Sequence, residues 1–279
     1  MPDTAETRLR PVASRQNSLV KDLRKAFSQG EPTSEGAVAI EGVRIVEEAL
    51  RSGLRFQAIF FSENAQKHAA RLMPQISSHT EALLLPDDVF SSAVSTETPQ
   101  GVAALVKMKP GKLEDLLEHV NDSFLAVAAA GIQDPGNLGT IIRTAEAFSA
   151  RGVLLGEKTV SPFNPKVIRA SAGSSFRQPL IAVKLADAIT QLKQAGVRLM
   201  ATSSHKGLPV DEANFTGPVL IAVGNEGAGL PPEVLSLADD LITIPHSPKV
   251  ESLNAGIAAS IILYEAARQK RKHLTAVER

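Results

Sequence analysis

The sequence contains no cysteine, which excludes disulfide staples, thiolate zinc sites and cysteine nucleophiles together. It carries no net charge, with 30 Lys and Arg against 30 Asp and Glu, and this argues against a protein that coats nucleic acid non-specifically. Long apolar runs are missing too. Stretches such as PVLIAV at 218–223 fall far short of the roughly 20 residues that cross a bilayer. The opening MPDTAETRLRPVASRQ mixes acids, bases and prolines around no apolar core, so no secretory signal is expected and a cytoplasmic location follows. The six histidines are scattered, with no HxxxH or HxH spacing, and no structural metal is expected.

What the chain does hold, in 279 residues that are 43% hydrophobic and 22% charged, is enough apolar material for two ordinary domains. The first reads as a short α/β unit ending near Lys109. It has strands at GAVAIEG (36–42), RFQAIFFS (55–62), ALLLP (82–86) and GVAALVKM (101–108), with helices at VRIVEEALRSG (43–53) and through NAQKHAARLMPQI (64–76). Pro110 and Gly111 punctuate the chain, and KLEDLLEHV (112–120) has the spacing of a linker helix, so residues 110–122 are read as a linker. From Ser123 strands and helices alternate to the end: FLAVAAAG, LGTIIRTAEAFSA, GVLLG, KVIRASAG, PLIAVK, LADAITQLKQAG, VRLMATSS, PVLIAVG and LITIP. This alternation predicts a parallel sheet with helices on both faces. A closing helix is predicted over Ser252 to Lys272, its terminal cations complementing the helix dipole.

Charge is distributed unevenly. No acid occurs between Lys158 and Ala186, where Lys158, Lys166, Arg169, Arg177 and Lys184 stand; between Arg8 and Gly30 only Asp22 opposes Arg8, Arg10, Arg15, Lys21, Arg24 and Lys25. Either run can be a solvated face or a phosphate-binding one.

Three loops that follow apolar runs are unusual, and in open α/β sheets ligands bind beyond the carboxyl ends of strands. In GIQDPGNLGTIIRTAEAF (131–148) Asn137 is placed to cap a helix, and Arg143 sits beside apolar Ile142 and needs a partner, Glu226 being a candidate. VLIAVGNEGAGLPPEV (219–234) is neither a Walker A loop nor a dinucleotide fingerprint, since its glycines stand G-x-x-G-x-G before two prolines; it holds Glu226 between glycines. In ITIPHSPKVESLNAGIAASIILYE (242–265) Glu251 or Ser252 can cap the last helix, which leaves Asn254 without a role.

Together DPGNLGTIIRTA, VGNEGAGL and IPHSPKVESLNAGIAASIILYE resemble the three ordered motifs of the SpoU (TrmH-like) RNA 2′-O-ribose methyltransferases of the SPOUT superfamily. The resemblance covers Ser123 to about Lys272. More loosely, SRQNSLVKDLRKA, AIEGVRIVEEAL and STETPQGVAALV resemble the substrate-binding domain of ribosomal-RNA members, a fold like that of RNA-binding ribosomal proteins. The resemblance implies a SPOUT domain at 123–279 threaded into a deep trefoil knot, an RNA substrate-binding domain at 1–109, a homodimer, and S-adenosylmethionine as cofactor. By position, Asn137, Arg143, Glu226, Ser252 and Asn254 match the residues associated with catalysis. Thr202, Ser203, Gly224, Asn225, Glu226, Gly227, Ile244, His246, Ser252, Leu253 and Asn254 match those that hold the cofactor. His246 stands where many relatives carry Met, and Ala130 where an acid is common. Arg15, Lys21, Arg24, Lys166, Arg169 and Arg177 are the candidates for contacts with RNA phosphates. The expected mechanism has Arg143 clamp a nucleotide phosphate, Glu226 hold Arg143, and Asn137 and Ser252 orient the ribose. Ribosomal RNA, of the 23S type, is the expected substrate. Transfer RNA, and a non-catalytic RNA-binding or ribosome-assembly role, stand as alternatives.

Overall fold

The computed structural model describes residues 8–277; the opening residues on which the absence of an export signal was read lie in part outside them. The chain divides into two compact units. One takes in the residues up to Lys109 together with Phe163–Phe176, the other Pro110–Pro162 and the chain from Arg177 on.

The first unit runs β1 (Arg10–Pro11), α1 (Ser18–Gln29), β2 (Ala37–Glu41), α2 (Val43–Arg51), β3 (Arg55–Ser62), α3 (Ala69–Leu72), β4 (Glu81–Leu85), α4 (Asp87–Ala93) and β5 (Val102–Lys107). Its sheet has the order β1-β4-β3-β5-β2, with β3 parallel to β4 and antiparallel to β5. Alternation along β3 buries both faces. Phe56, Ile59 and Phe61 pack with Val46 and Ala49 of α2, whereas Ala58 and Phe60 pack with Val20, Leu23 and Phe27 of α1 and Val89 and Phe90 of α4. Helix α1 starts where the Asn17 side chain accepts the amides of Leu19 and Val20 at 3.0 and 3.4 Å. The single helix expected at 64–76 is instead a 3₁₀ turn (Glu63–His68), the one-turn α3 and a second 3₁₀ turn (Met73–Gln75); Pro74 lacks the amide that would continue it.

Within the chain from Pro110 on follow α5 (Leu113–Leu117), β6 (Leu125–Ala130), α6 (Pro135–Ala147), β7 (Val153–Leu155), α7 (Pro165–Ala170), β8 (Leu180–Ala182) and α8 (Leu185–Gln194). After these come β9 (Arg198–Thr202), β10 (Leu208–Pro209), β11 (Val219–Gly224), α9 (Pro232–Leu235), β12 (Asp240–Thr243) and α10 (Ala255–Val277). The strands form one sheet in the order β10-β12-β9-β11-β6-β7-β8, every pair parallel. Helices cover both faces, as the alternation predicts. Ala126 and Ala128 of β6 and Leu220 and Ala222 of β11 pack with Leu185, Ala188, Ile189 and Leu192 of α8. Val127, Ala129, Ile221 and Val223 point the other way and are equally buried, on the face where α6 and α10 pack on the sheet.

Three boundaries differ from the sequence reading. Leu116, in the stretch read as a linker, is buried in the core of the second unit. Ile168 on α7 is buried in the core of the first, with Phe163 and Phe176 packed against the same cluster. An insertion whose apolar side chains serve another core looks, in sequence, like one more α/β repeat. The last helix begins at Ala255, not Ser252, and runs on to Val277, so the cations of its tail are not gathered at its end. Arg268 pairs with Glu265 at 2.6 Å. Lys270 is buried and donates to the carbonyls of Gly217 and Asp122. Burial, reinforced by the charge of Arg198, pushes its pKa down to about 8 against the opposing pull of Asp122.

Candidate active site

The informative loops all leave the carboxyl ends of the central strands, where the sheet order sets β6, β11, β9 and β12 side by side. A cavity of about 450 Å³ opens there, a size ordinary for a small-molecule site. Thr202, Ser203, Gly224, Asn225, Glu226, Gly227, Ile244, His246, Ser252 and Leu253 all line it. Asn254 does not; its side chain is taken up elsewhere. Arg143 does not line it either.

Glycine is required at 224 because a Cβ there would lie 2.4 Å from the backbone carbon of Gly229 and 2.5 Å from the amide nitrogen of Leu230. That close approach is the turn itself. Asn225 and Gly229 exchange backbone hydrogen bonds at 3.1 and 2.9 Å, and Asn225 Oδ1 accepts the amides of Gly227 and Ala228 at 2.9 and 3.1 Å. Its Nδ2 donates to the carbonyl of Gly131 at 3.1 Å, which ties the glycine loop to the loop after β6.

A second tie is directional. Asn254 Oδ1 accepts the amide of Ile257 at 3.2 Å, so Asn254, and neither Glu251 nor Ser252, caps α10. With the oxygen committed, Nδ2 of Asn254 donates to Oδ1 of Asn137 at 2.7 Å. Nδ2 of Asn137 must then donate in turn, and it meets Oε1 of Glu226. The chain from Ile257 through Asn254 and Asn137 to Glu226 fixes both amide orientations and joins all three loops. Each member uses a bond whose direction its neighbour sets, and such networks orient their members more firmly than separate pairs do.

Two sequence expectations change here. Asn137 does not cap α6. Asp134 does, its carboxylate accepting the amide of Asn137 at 2.8 Å, because Pro135 occupies the first helical position and moves the start one turn earlier. Nor does Glu226 hold Arg143. The carboxylate is engaged by Asn137, and Arg143 is exposed on α6 and bonds to no described residue.

The sequence reading leaves out Lys206, Leu230, Ala258 and Ile262, which also line the cavity. Lys206 follows β9 at a strand end and was open to the same reasoning as Ser203. Ala258 and Ile262 belong to the apolar periodicity of α10, which reads as core.

Of the proposed phosphate contacts, four are occupied. Arg15 pairs with Asp88 at 2.7 Å and, through that hydrogen bond, holds the Asp88 carboxyl below its usual range. Arg24 donates to the carbonyl and hydroxyl of Ser92 at 3.0 and 3.2 Å, Arg169 to Thr96 at 2.8 Å, and Arg177 to Glu146 at 3.0 Å. Lys21 and Lys166 are exposed, and their ammonium groups bond to no described residue. Among the described residues there is no cluster of three potential metal ligands, and no helix is long and apolar enough to cross a membrane.

Comparison with known proteins gives two family matches and relatives similar over most of the chain. The model of the SpoU rRNA Methylase family matches residues 124–264, and that of an MRM3-like substrate binding domain matches residues 17–104. The chain is 34% identical, over 92% of its length and 98% of the relative's, to the 23S rRNA (guanosine(2553)-2'-O)-methyltransferase RlmP of Bacillus subtilis. It is 31% identical to the 23S rRNA (uridine(2479)-2'-O)-methyltransferase of Streptomyces viridochromogenes, over 87% of this chain and 86% of that one. The crystal structure of an AdoMet-bound rRNA methyltransferase from Sinorhizobium meliloti superposes with a TM-score of 0.81 at 31% identity, covering 94% of this chain and 98% of that one.

Proposed function

The chain belongs to the SpoU rRNA methylase family, and from that premise we propose that it methylates a ribose 2′-hydroxyl in 23S ribosomal RNA. It is an S-adenosylmethionine-dependent RNA methyltransferase. The observation that carries the proposal is one cavity walled by the loops after β9, β11 and β12, with the loop after β6 tied to two of them by the chain from Asn254 through Asn137 to Glu226. The choice of 23S RNA is supported by the two relatives named for it.

The cavity fits the cofactor in chemistry. Ile242, Ile244, Leu253 and Leu230 offer apolar surface for a purine and a thioether stem, and the hydroxyls of Thr202, Ser203 and Ser252 and the loop amides offer polar partners. S-adenosylmethionine supplies there a methyl group on a sulfonium. The residues of the chain must hold the ribose oxygen in line with it, and positioning of this kind supplies about 7–11 kcal/mol. Arg143 is free to clamp a phosphate of the target nucleotide through two parallel hydrogen bonds. Guanidinium groups stay protonated up to about pH 12, so its part is to fix the nucleotide, not to act as base. Ser252 orients the ribose. Asn137, both of whose amide atoms are engaged, positions Glu226.

Assembly as a homodimer is part of the proposal. Ile257, Ile261 and Tyr264 form a stripe on α10 that is 53%, 38% and 50% exposed, at a spacing that sets them on one helical face. A second copy of the chain is its occupant, and light scattering in solution tests it. The trefoil knot is supported by the route of the chain. From β12, beyond β9 at the far side of the sheet, the loop must lead back past β9 and β11 to α10, which packs on α6. A cytoplasmic location follows from the proposed substrate.

The test is incubation of the purified protein with radiolabelled S-adenosylmethionine and, separately, ribosomal and transfer RNA, followed by nucleoside mass spectrometry. A 2′-O-methyl nucleoside in the ribosomal pool is expected. Label in transfer RNA alone would overturn the substrate.

A further inference from the structure

We propose that a second cavity, in the first unit at the carboxyl ends of the parallel strands β3 and β4, binds one unpaired nucleotide of the substrate RNA. The proposal rests on the reading that the chain acts on RNA, and it names a place on the chain where that RNA is gripped.

The cavity measures about 340 Å³, and Ser62, Asn64, Lys67, His68, Asp87 and Gln100 line it together with Phe90. Its position obeys the rule for open α/β sheets: Ser62 is the last residue of β3, and Asp87 follows the end of β4. Ser62 is only 5% exposed, yet its hydroxyl bonds to no described residue. The oxygen opens on the cavity, so its proton and lone pairs are available to a ligand there. Gly101 keeps that hydroxyl open. Its φ is +75°, and a Cβ there would lie 2.5 Å from Ser62 Oγ and 2.4 Å from the Ala65 methyl.

The rim is held in place. Asn64 donates its backbone amide, at 3.3 Å, and its side-chain amide to the two oxygens of Asp87, so the segment after β3 is tied to that after β4. Gln100 spends its oxygen on the amide of Val43 at 3.3 Å, which leaves its NH₂ group as a donor at the cavity wall. The Lys67 ammonium is exposed and bonds to no described residue.

This is a mixed set: a hydroxyl, an amide donor, a carboxylate with further lone pairs, an imidazole and one exposed cation. It suits the edge of a nucleobase with its phosphate on Lys67. A base within a duplex cannot enter a concave site of this size, and a nucleotide turned out of a loop can. The cavity falls wholly within the residues that match a substrate binding domain.

The experiment uses the full-length protein, wild type, Ser62→Val and Lys67→Ala, with in vitro transcribed 23S RNA. Ultraviolet cross-linking with peptide mapping is run beside steady-state methylation. The wild type is expected to cross-link through residues 62–68 or 87–101. Ser62→Val should lose those cross-links, and both variants should raise the KM for RNA, Ser62→Val by roughly tenfold, while the affinity for S-adenosylmethionine stays at the wild-type value. Lys67 lies on the surface, so its variant answers the question even if Ser62→Val folds poorly. Cross-links absent from residues 62–101, with KM unmoved in both variants, would overturn the pocket and leave the methyltransferase reading standing. Wild-type protein that methylates no RNA would remove both. Suppression of the cross-links by free nucleoside monophosphates at low concentration would make the ligand a free nucleotide and overturn the RNA assignment.

Discussion

The two cavities sit at equivalent places, each beyond the carboxyl ends of parallel strands, and differ in the reach of the ties that hold them and in what lines them. That of the second unit draws its walls from the loops after β9, β11 and β12, and the loop after β6 braces them through Asn225 to Gly131 and through Asn254 and Asn137 to Glu226, over 89 to 117 residues of sequence. Much of its lining is backbone and apolar side chain. That of the first unit draws on three shorter-range segments, after β3, after β4 and before β5, all within residues 62–101; Asn64 and Asp87 tie it over 23 residues, and its lining is mostly polar side chain. A site held by directed bonds between distant loops presents one fixed shape, which suits a small cofactor and a reaction that needs alignment. A polar site edged by an exposed lysine suits one nucleotide of a long chain whose other contacts lie elsewhere.

The largest effect that would break this contrast is expected at Arg143. Arg143→Ala should lower kcat by on the order of 100-fold or more while calorimetric affinity for S-adenosylmethionine holds, because the residue does not line the cavity proposed for the cofactor. Near-normal turnover would remove it from the reaction. Next comes the tie itself. Asn137→Ala leaves Asn254 without its acceptor and Glu226 without its donor, so the variant should lose about 1–3 kcal/mol in urea unfolding and bind the cofactor more weakly. If cofactor affinity is untouched, the amide chain is a structural brace and no more.

A smaller effect is expected where cations are free. Lys21→Ala and Lys166→Ala should each weaken RNA binding uniformly across sequences and reduce the salt slope by about one. Arg177→Ala, which breaks a pair with Glu146, should leave that slope nearly as it was. Equal slopes for all three would return the paired arginines to the interface. The smallest effect concerns Lys270. Its pKa, depressed to about 8 in the fold from the ordinary 10.5, means that between those values the unfolded chain binds the extra proton. Stability contributed at this site therefore rises with pH across that window and is least below pH 8. Lys270→Met should flatten the difference between unfolding midpoints measured at the two ends of the window.

Much of this was open to a reader of the sequence. Strand and helix periodicities from Phe124 to Leu241 mark a parallel sheet, and DPGN, GNEG and SLN at strand ends mark one site even though they are far apart. Asp134 could have been found as the cap, since the proline after it occupies the first helical position. The partner of Glu226 could not, because Arg143 and Asn137 are both plausible by charge and hydrogen bonding and only distance separates them. The cavity beside Ser62 was equally hidden. Nothing in FFSENAQKH distinguishes a buried serine at a cavity from one at an ordinary strand end.

By itself the sequence determined the alternation of strands and helices that makes the parallel sheet, and which loops leave its strand ends, because these follow from the local periodicity of apolar residues and from residue types that only turns and caps accept. Only the tertiary structure decided that residues 163–176 pack with the first unit, that Lys270 lies buried against two carbonyls, and that Asn137 takes Glu226 and leaves Arg143 free. These are outcomes of competition between partners distant along the chain, and a hydrogen bond effective only near 3 Å is settled by where the folded backbone places its donor and acceptor.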